Sequence, residues 1–252
     1  MYTPAERSSL RDALVAAARA DARVAGAALT GSAAAGAEDR WSDIDLALGL
    51  APDADQSGVL TDWTDRMYRE HTAVHHTDVW SRSTVYRVFL LQSTLQVDIA
   101  FAPAEEFGAL GPTFQLLFGE TAEQPQWSAP AAVDVVGMAW LYALHARSSI
   151  GRGRVWQAEY MISGVRDHVL TLMCLRYGVP HSQGRGLHLL PSDGASAVEA
   201  TLVRSPDVEE LRRAFRASVD VLLLEVEYVD AELAVRLAGP LRGLTASADS
   251  GS

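Results

Sequence analysis

Residues 29–46 read LTGSAAAGAEDRWSDIDL, and residues 95–101 read LQVDIAF. These two stretches decide the reading of the chain. In the first, Gly31 and Ser32 follow a short apolar run, and ten residues separate Ser32 from Asp43. Asp43 and Asp45 then alternate with Ile44 and Leu46. Alternation of this kind predicts a strand, Asp43–Leu48, with its apolar side chains on one face. Residues i and i+2 of a strand point the same way, so both carboxylates leave one face as a pair. In the second stretch Val97, Ile99 and Phe101 alternate with Asp98 and Ala100. A neighbouring strand of that pattern adds Asp98 to the pair. Three converging carboxylates repel one another, and a divalent cation relieves the repulsion. Oxygen-only ligands with room left for water and phosphate suit Mg²⁺.

Gly-Ser, a ten-residue spacer, Asp-Ile-Asp and a lone Asp on a later strand form a pattern that resembles the nucleotidyltransferase superfamily that includes DNA polymerase beta. The resemblance is closest to its small-molecule branch, the aminoglycoside and lincosamide nucleotidyltransferases, and covers residues 29–101. It implies transfer of a nucleoside monophosphate, AMP from ATP, to a hydroxyl of a small molecule. It also implies two Mg²⁺ ions held by Asp43, Asp45 and Asp98, with Asp98 as a ligand or a general base. Gly31 then lets the backbone approach the triphosphate, and Ser32 donates to it. Ser32 also reads as a plain helix N-cap.

The composition narrows the chemistry further. The chain has 252 residues and a net charge of −11. Polyanion binders carry a basic face, so a nucleic-acid partner is not expected. A cationic small acceptor suits an acidic protein, although a soluble surface alone also accounts for such a charge. All 21 basic residues are arginine. Lysine Schiff bases, lysine general bases and a Walker-type phosphate loop are therefore excluded. The single Cys174 excludes an internal disulfide and reads as a buried, inert thiol. No signal-peptide pattern opens the sequence and no long uncharged apolar run crosses it. The expectation is a cytoplasmic protein without a membrane partner.

Read in order, the first region gives α-β-α-β-α-β-β-β. Thr3, Pro4 and Glu6 form a capping box for a helix ending near Asp21. Strands follow at Val24–Leu29, Asp43–Leu48, Val74–Ser81, Thr84–Leu91 and Leu95–Phe101, with helices at Ala33–Ala37 and Val59–His71. A proline-rich stretch around Gln124–Ala129 marks the boundary. The fold expected is α+β followed by all-α: a nucleotidyltransferase domain over residues 1–125, with a mixed sheet and flanking helices, then a helical bundle over 126–242. Residues 243–252, rich in small polar residues, read as a disordered tail. Helices are expected at Val133–Ser148, Trp156–Tyr177, Ala195–Arg204, Pro206–Val226 and Tyr228–Leu237. On the first of these, positions 136, 140, 141 and 144 form the apolar stripe.

Other candidates come from the second region. Arg152 and Arg154 lie in a Gly-Arg-Gly-Arg turn before a long helix, and guanidinium forks suit phosphate. Glu159 and Arg166 share a face of that helix. The kanamycin-modifying relatives use a helix glutamate as general base, and that resemblance assigns the role to Glu159. Arg166 is grouped with the triphosphate contacts. An intra-helix Glu–Arg pair and an exposed basic turn are the plain alternatives. Trp41 reads as packing on the sheet or as stacking on a nucleobase, with packing ahead. His75 and His76, adjacent on a strand, point to opposite faces and make a poor metal pair. Two other functions fit the same pattern. One is a protein-modifying adenylyltransferase of the toxin–antitoxin kind, which requires a protein-sized groove beside Asp43. The other is a non-catalytic nucleotide-binding module, which has no need of the third carboxylate.

Overall fold

The computed structural model describes residues 1–126, 128–191 and 197–249. The chain divides into two compact units, Met1–Trp127 and Ser128–Ser252, each with its own core.

The first unit is a six-stranded mixed sheet with helices. It opens with α1, Pro4–Ala20. Thr3 accepts from the Glu6 backbone while Glu6 reaches back to Thr3, the capping box expected from the sequence. β1 is Val24–Thr30, and the single turn α2, Gly31–Ala34, follows it without a gap. β2 is Ile44–Leu50, so Asp43 stands at its threshold. α3, Gln56–Glu70, begins three residues before the expected Val59 because the Asp55 carboxylate caps the amides of Ser57 and Gly58. β3 (Ala73–Ser81), β4 (Thr84–Leu91) and β5 (Gln96–Ala102) complete the expected strands. β6, Phe114–Phe118, has no counterpart in the sequence reading. Its five residues, FQLLF, lack alternation, and only pairing with β1 makes them a strand.

The sheet order is β3-β4-β5-β2-β1-β6. β2 runs parallel to β5 and antiparallel to β1. Ile44, Leu46, Leu48, Val97, Ile99 and Phe101 are all at most 1% exposed and form the core face. Leu14 of α1 and Trp63 and Met67 of α3 belong to the same core. The ring of Trp63 meets that of Phe101 edge-on at 6.0 Å. Burial of this face fixes the register, since a one-residue slip would drive the carboxylates into the core.

The second unit is helical. α4 is Ala132–Gly151 and α5 is Val155–Tyr177. α5 ends at Gly178, whose φ of +65° is the left-handed cap that glycine adopts without strain. α6 is Val208–Val229 and α7 is Ala231–Asp249. Three expectations are corrected here. The buried stripe of α4 is Val135, Val136, Ala139, Ala143, Ala146 and Ile150, whereas Trp140 and Leu141 are each 37% exposed. Small alanines let neighbouring helices approach, and they outrank the larger residues in choosing the face. The break between the last two helices falls at Asp230, whose carboxylate caps the Leu233 amide, and not at Glu227. Residues 243–249 of the expected disordered tail are helical, and 250–252 lie outside the described residues. Leu241, Thr245 and Ala248 are buried, and Arg212 Nε donates to the Ala248 carbonyl at 2.7 Å. Small residues are what a close helix contact requires, so their composition resembles that of a disordered tail. Of the expected helix Ala195–Arg204, residues 197–199 are helical and 202–204 are not, while 195–196 lie outside the described residues.

Glu225 of α6 is 5% exposed and accepts from both Nε and Nη2 of Arg176. Burial pushes its carboxyl above the usual range, and Arg176 opposes that rise. Cys174 is fully buried, and burial raises its thiol. No described helix is long and apolar enough to cross a membrane.

Candidate active site

The three aspartates come together because of strand register. In the parallel pairing of β2 with β5, Asp45 stands directly opposite Asp98. Adjacent strands lie about 4.8 Å apart, so their side chains on one face are neighbours. Asp43, two residues before Asp45, projects on that same face. One oxygen from each of Asp43, Asp45 and Asp98 lies within 4.8 Å of the others, and all three residues are half-buried. Among the described residues this is the one group of three or more such side chains with metal-binding geometry. The core residues that alternate with them aim at the opposite face of the sheet.

No ion pair among the described residues neutralises Asp43 or Asp98. Asp98 accepts a hydrogen bond from Gln96 Nε2 at 3.0 Å. Its carboxyl is held above the usual range, chiefly by burial and also by the nearby Asp43 charge, with Gln96 opposing. A site made wholly of carboxylate oxygens, partly desolvated and mutually repulsive, fits a hard divalent cation such as Mg²⁺.

Gly31 and Ser32 sit at the opposite edge of this cluster. Gly31 has φ +59°, in the left-handed region, and a Cβ there would overlap the Asp45 carboxylate. Only glycine allows the β1–α2 turn to close against Asp45. Ser32 Oγ is buried, and among the described residues it has no hydrogen-bond partner. The N-cap position of α2 belongs to Thr30, not Ser32, so the reading of Ser32 as a helix cap is set aside. A buried hydroxyl without a partner costs free energy and is uncommon. Ser32 follows directly on Gly31, the residue that closes against Asp45.

The loop 35–43 carries the chain from that turn to Asp43, and α1 pins it. Arg7, only 3% exposed, donates through Nη1 to the carbonyls of Asp39 and Ser42. Its Nε lies 3.2 Å from Glu38 Oε1, at ion-pair distance though without hydrogen-bond alignment. Arg11 Nη1 pairs with Glu38 Oε2 at 2.7 Å, and Tyr2 Oη donates to the Ser42 carbonyl at 2.9 Å. Asp39 Oδ1 accepts from the Trp41 amide and from Ser42 Oγ. The sequence reading missed this latch and also Gln96. A signal was present: Arg7 lies seven residues before Leu14 and so interrupts the apolar stripe of α1. A charge on a buried stripe implies a partner.

Trp41 is 70% exposed, so it does not pack on the sheet as expected. Of the two histidines, His76 Nδ1 lies 3.0 Å from Tyr68 Oη, and His75 is exposed.

The remaining candidates belong to the second unit. Arg152 caps the end of α4 and Arg154 precedes α5, and both are exposed. Glu159 is half-buried and accepts from Ser163 Oγ at 2.7 Å. Among the described residues no ion pair joins Glu159 to Arg166, so the helix-support pair is not formed.

The first unit is thus a mixed sheet presenting a three-carboxylate cluster beside a Gly-Ser turn. Among solved structures, the chain is similar to an aminoglycoside 6-adenyltransferase from Bacillus subtilis, with 92% of this chain aligned to 96% of that one, 11% identity and a TM-score of 0.42. No family model and no curated protein matches the sequence.

Proposed function

We propose that this protein is a Mg²⁺-dependent nucleotidyltransferase that moves a nucleoside monophosphate, AMP from ATP, onto a hydroxyl of a small molecule such as an aminoglycoside-like antibiotic. The observation that carries the reading is the convergence of Asp43, Asp45 and Asp98 beside the Gly31–Ser32 turn. In this reading the acceptor oxygen bonds to the α-phosphorus, and the bond from that phosphorus to the bridging oxygen breaks. Pyrophosphate leaves, and the acceptor proton passes to a carboxylate or to solvent. Asp43, Asp45 and Asp98 would hold the metal, which when bound offsets negative charge on the phosphates and acidifies the acceptor hydroxyl. Ser32 donates to a triphosphate oxygen, and Gly31 keeps the approach free of side chain. Gln96 orients Asp98 through its Oδ1. ATP and Mg²⁺ place such work in the cytoplasm.

Arg152, Arg154 and Arg166 remain candidates for triphosphate contacts, and Glu159 remains a candidate for the acceptor proton or an acceptor ammonium. Their roles separate kinetically. Glu159→Gln lowers kcat with nucleotide affinity intact if Glu159 is the base, and leaves both unchanged if it is an ordinary helix residue.

The direct test is incubation with labelled nucleoside triphosphates, Mg²⁺ and a panel of aminoglycosides, lincosamides and nucleosides. Label should appear in one acceptor class and vanish with chelator or with Asp43→Asn. Label confined to protein, or turnover retained in Asp43→Asn, overturns the proposal.

A further inference from the structure

A pocket of about 310 Å³ opens beside Asp43, and Tyr2, Arg40, Trp41, Thr94 and Gln96 contribute to its wall. Three features of it are unusual together. Trp41 exposes 70% of its surface although indoles are costly to leave in water. The loop that carries it is fixed by the Arg7, Tyr2 and Asp39 hydrogen bonds, so the ring is presented rather than loose. The Arg40 guanidinium lies 4.4 Å from the ring centroid and supports it as a cation–π partner.

The position of the pocket follows from the strand order β5-β2-β1. The Gly31–Ser32 turn follows β1, on one side of the carboxylates. Gln96 and Thr94 belong to β5 and its preceding turn, on the other side. In-line displacement at phosphorus places the leaving group and the attacking oxygen on opposite sides. With pyrophosphate at Gly31–Ser32, the acceptor falls on the Gln96 side, where Trp41 stands. We propose that Trp41 forms a stacking floor for the acceptor, and that the group it takes is a hydroxylated ring with a flat, uncharged face. This rests on the nucleotidyltransferase reading above. The Arg40 guanidinium at the ring, not the net charge of the chain, sets the choice of the group stacked there, while Asp43 in the same wall can take an ammonium elsewhere on the acceptor. Arg40 already occupies the ring with one cation, which disfavours an ammonium there. Gln96 offers an amide to a ring hydroxyl.

The test uses the full chain labelled with ¹⁵N at its indoles, with the Trp41 resonance assigned as the one lost in Trp41→Phe. Two titrations are run: p-nitrophenyl β-galactoside, a hydroxylated ring carrying a planar uncharged group, and a non-hydrolysable ATP analogue with Mg²⁺. The galactoside should shift the Trp41 indole N–H and saturate in the millimolar range, and the ATP analogue should leave it in place. By ligand-observed saturation transfer, Trp41→Ala should weaken galactoside binding roughly tenfold and Trp41→Phe should retain most of it. A Trp41 shift with the ATP analogue makes the ring the floor of the nucleobase and overturns the proposal. No shift with the galactoside, or equal binding in Trp41→Ala, also overturns it. Calorimetry of the ATP analogue separates the two readings: nucleotide binding that persists while Trp41 stays silent to the galactoside leaves the transferase standing and removes the pocket.

Discussion

Gly31 and Asp45 are in a contact that only a missing side chain permits. The Gly31 backbone is left-handed, and any Cβ built on it would overlap the Asp45 carboxylate. The end of β1 therefore closes on the middle carboxylate of the cluster. The Gly-Ser motif and the Asp-Ile-Asp motif are joined by packing, not only by sequence spacing.

Gly31→Ala should accordingly damage the site twice. The left-handed backbone costs an alanine about 1–2 kcal/mol, and the new methyl pushes on Asp45. Thermal unfolding should report the first loss. A fall in nucleotidyl transfer larger than that of a neutral control, Gly36→Ala, should report the second. Gly36 also has positive φ, but a Cβ there meets nothing within 4 Å. Equal losses in the two variants would show that the Asp45 contact does not matter.

Asp98 carries a cost that depends on pH. Its folded carboxyl is raised by burial and by Asp43. At pH below the ordinary carboxylate value it is neutral in both folded and unfolded chains, and no cost arises. As pH rises through the folded value, ionisation penalises the folded state. Asp98→Asn should therefore match wild type in strong acid. It should melt at an equal or higher temperature near neutrality when Mg²⁺ is absent, while losing transfer activity. A variant less stable than wild type at neutral pH would mean that Asp98 has a favourable partner instead.

Arg7 holds the loop that leads into Asp43. It is buried and holds the carbonyls of Asp39 and Ser42 as well as the Glu38 carboxylate. Arg7→Met keeps the aliphatic bulk but leaves Glu38 with Arg11 alone. Breaking a buried pair in this way costs roughly 3–5 kcal/mol, and less where a second cation remains. The specific expectation is kinetic. Arg7→Met should lower kcat and raise the Mg²⁺ concentration needed for half-maximal rate, and Arg7→Lys should recover part of both. Lost stability with unchanged Mg²⁺ dependence would reduce Arg7 to a structural role.

The carboxylate cluster was legible because it depends on local alternation and one strand pairing. A period of two places Asp43 with Asp45, and the buried face of VDIAF leaves only one side for Asp98. The capping box at Thr3 and the αL cap at Gly178 were legible for the same reason, since each is decided within a few residues. What the sequence hid depends on partners far along the chain. β6 is a strand only because β1 lies beside it. Arg7 is buried only because the loop 35–43 folds onto α1. The stripe of α4 was misread because hydrophobicity favoured Trp140 and Leu141, while close packing selected alanines. The end of the final helix looked like a disordered tail because helix contacts and disordered tails draw on the same small residues.

Ser32 gives a test in which stability and function move in opposite directions. Its Oγ is buried and lacks a hydrogen-bond partner among the described residues. In the protein without ligand that hydroxyl is desolvated with no compensation, a cost of about 1–3 kcal/mol. Ser32→Ala removes the hydroxyl and should leave the unliganded protein at least as stable as wild type. If the hydroxyl is reserved for a triphosphate oxygen, the same change removes a charge-assisted donor. Nucleotide affinity should then fall by roughly 1.5–3 kcal/mol, about ten- to a hundredfold. Ser32→Thr retains the hydroxyl and adds a methyl, so it should keep more affinity than alanine does. Differential scanning calorimetry without ligand and isothermal titration with a non-hydrolysable ATP analogue measure the two quantities separately. Destabilisation of the unliganded alanine variant together with unchanged nucleotide affinity would mean that Ser32 supports the turn, and that the triphosphate is held by other groups.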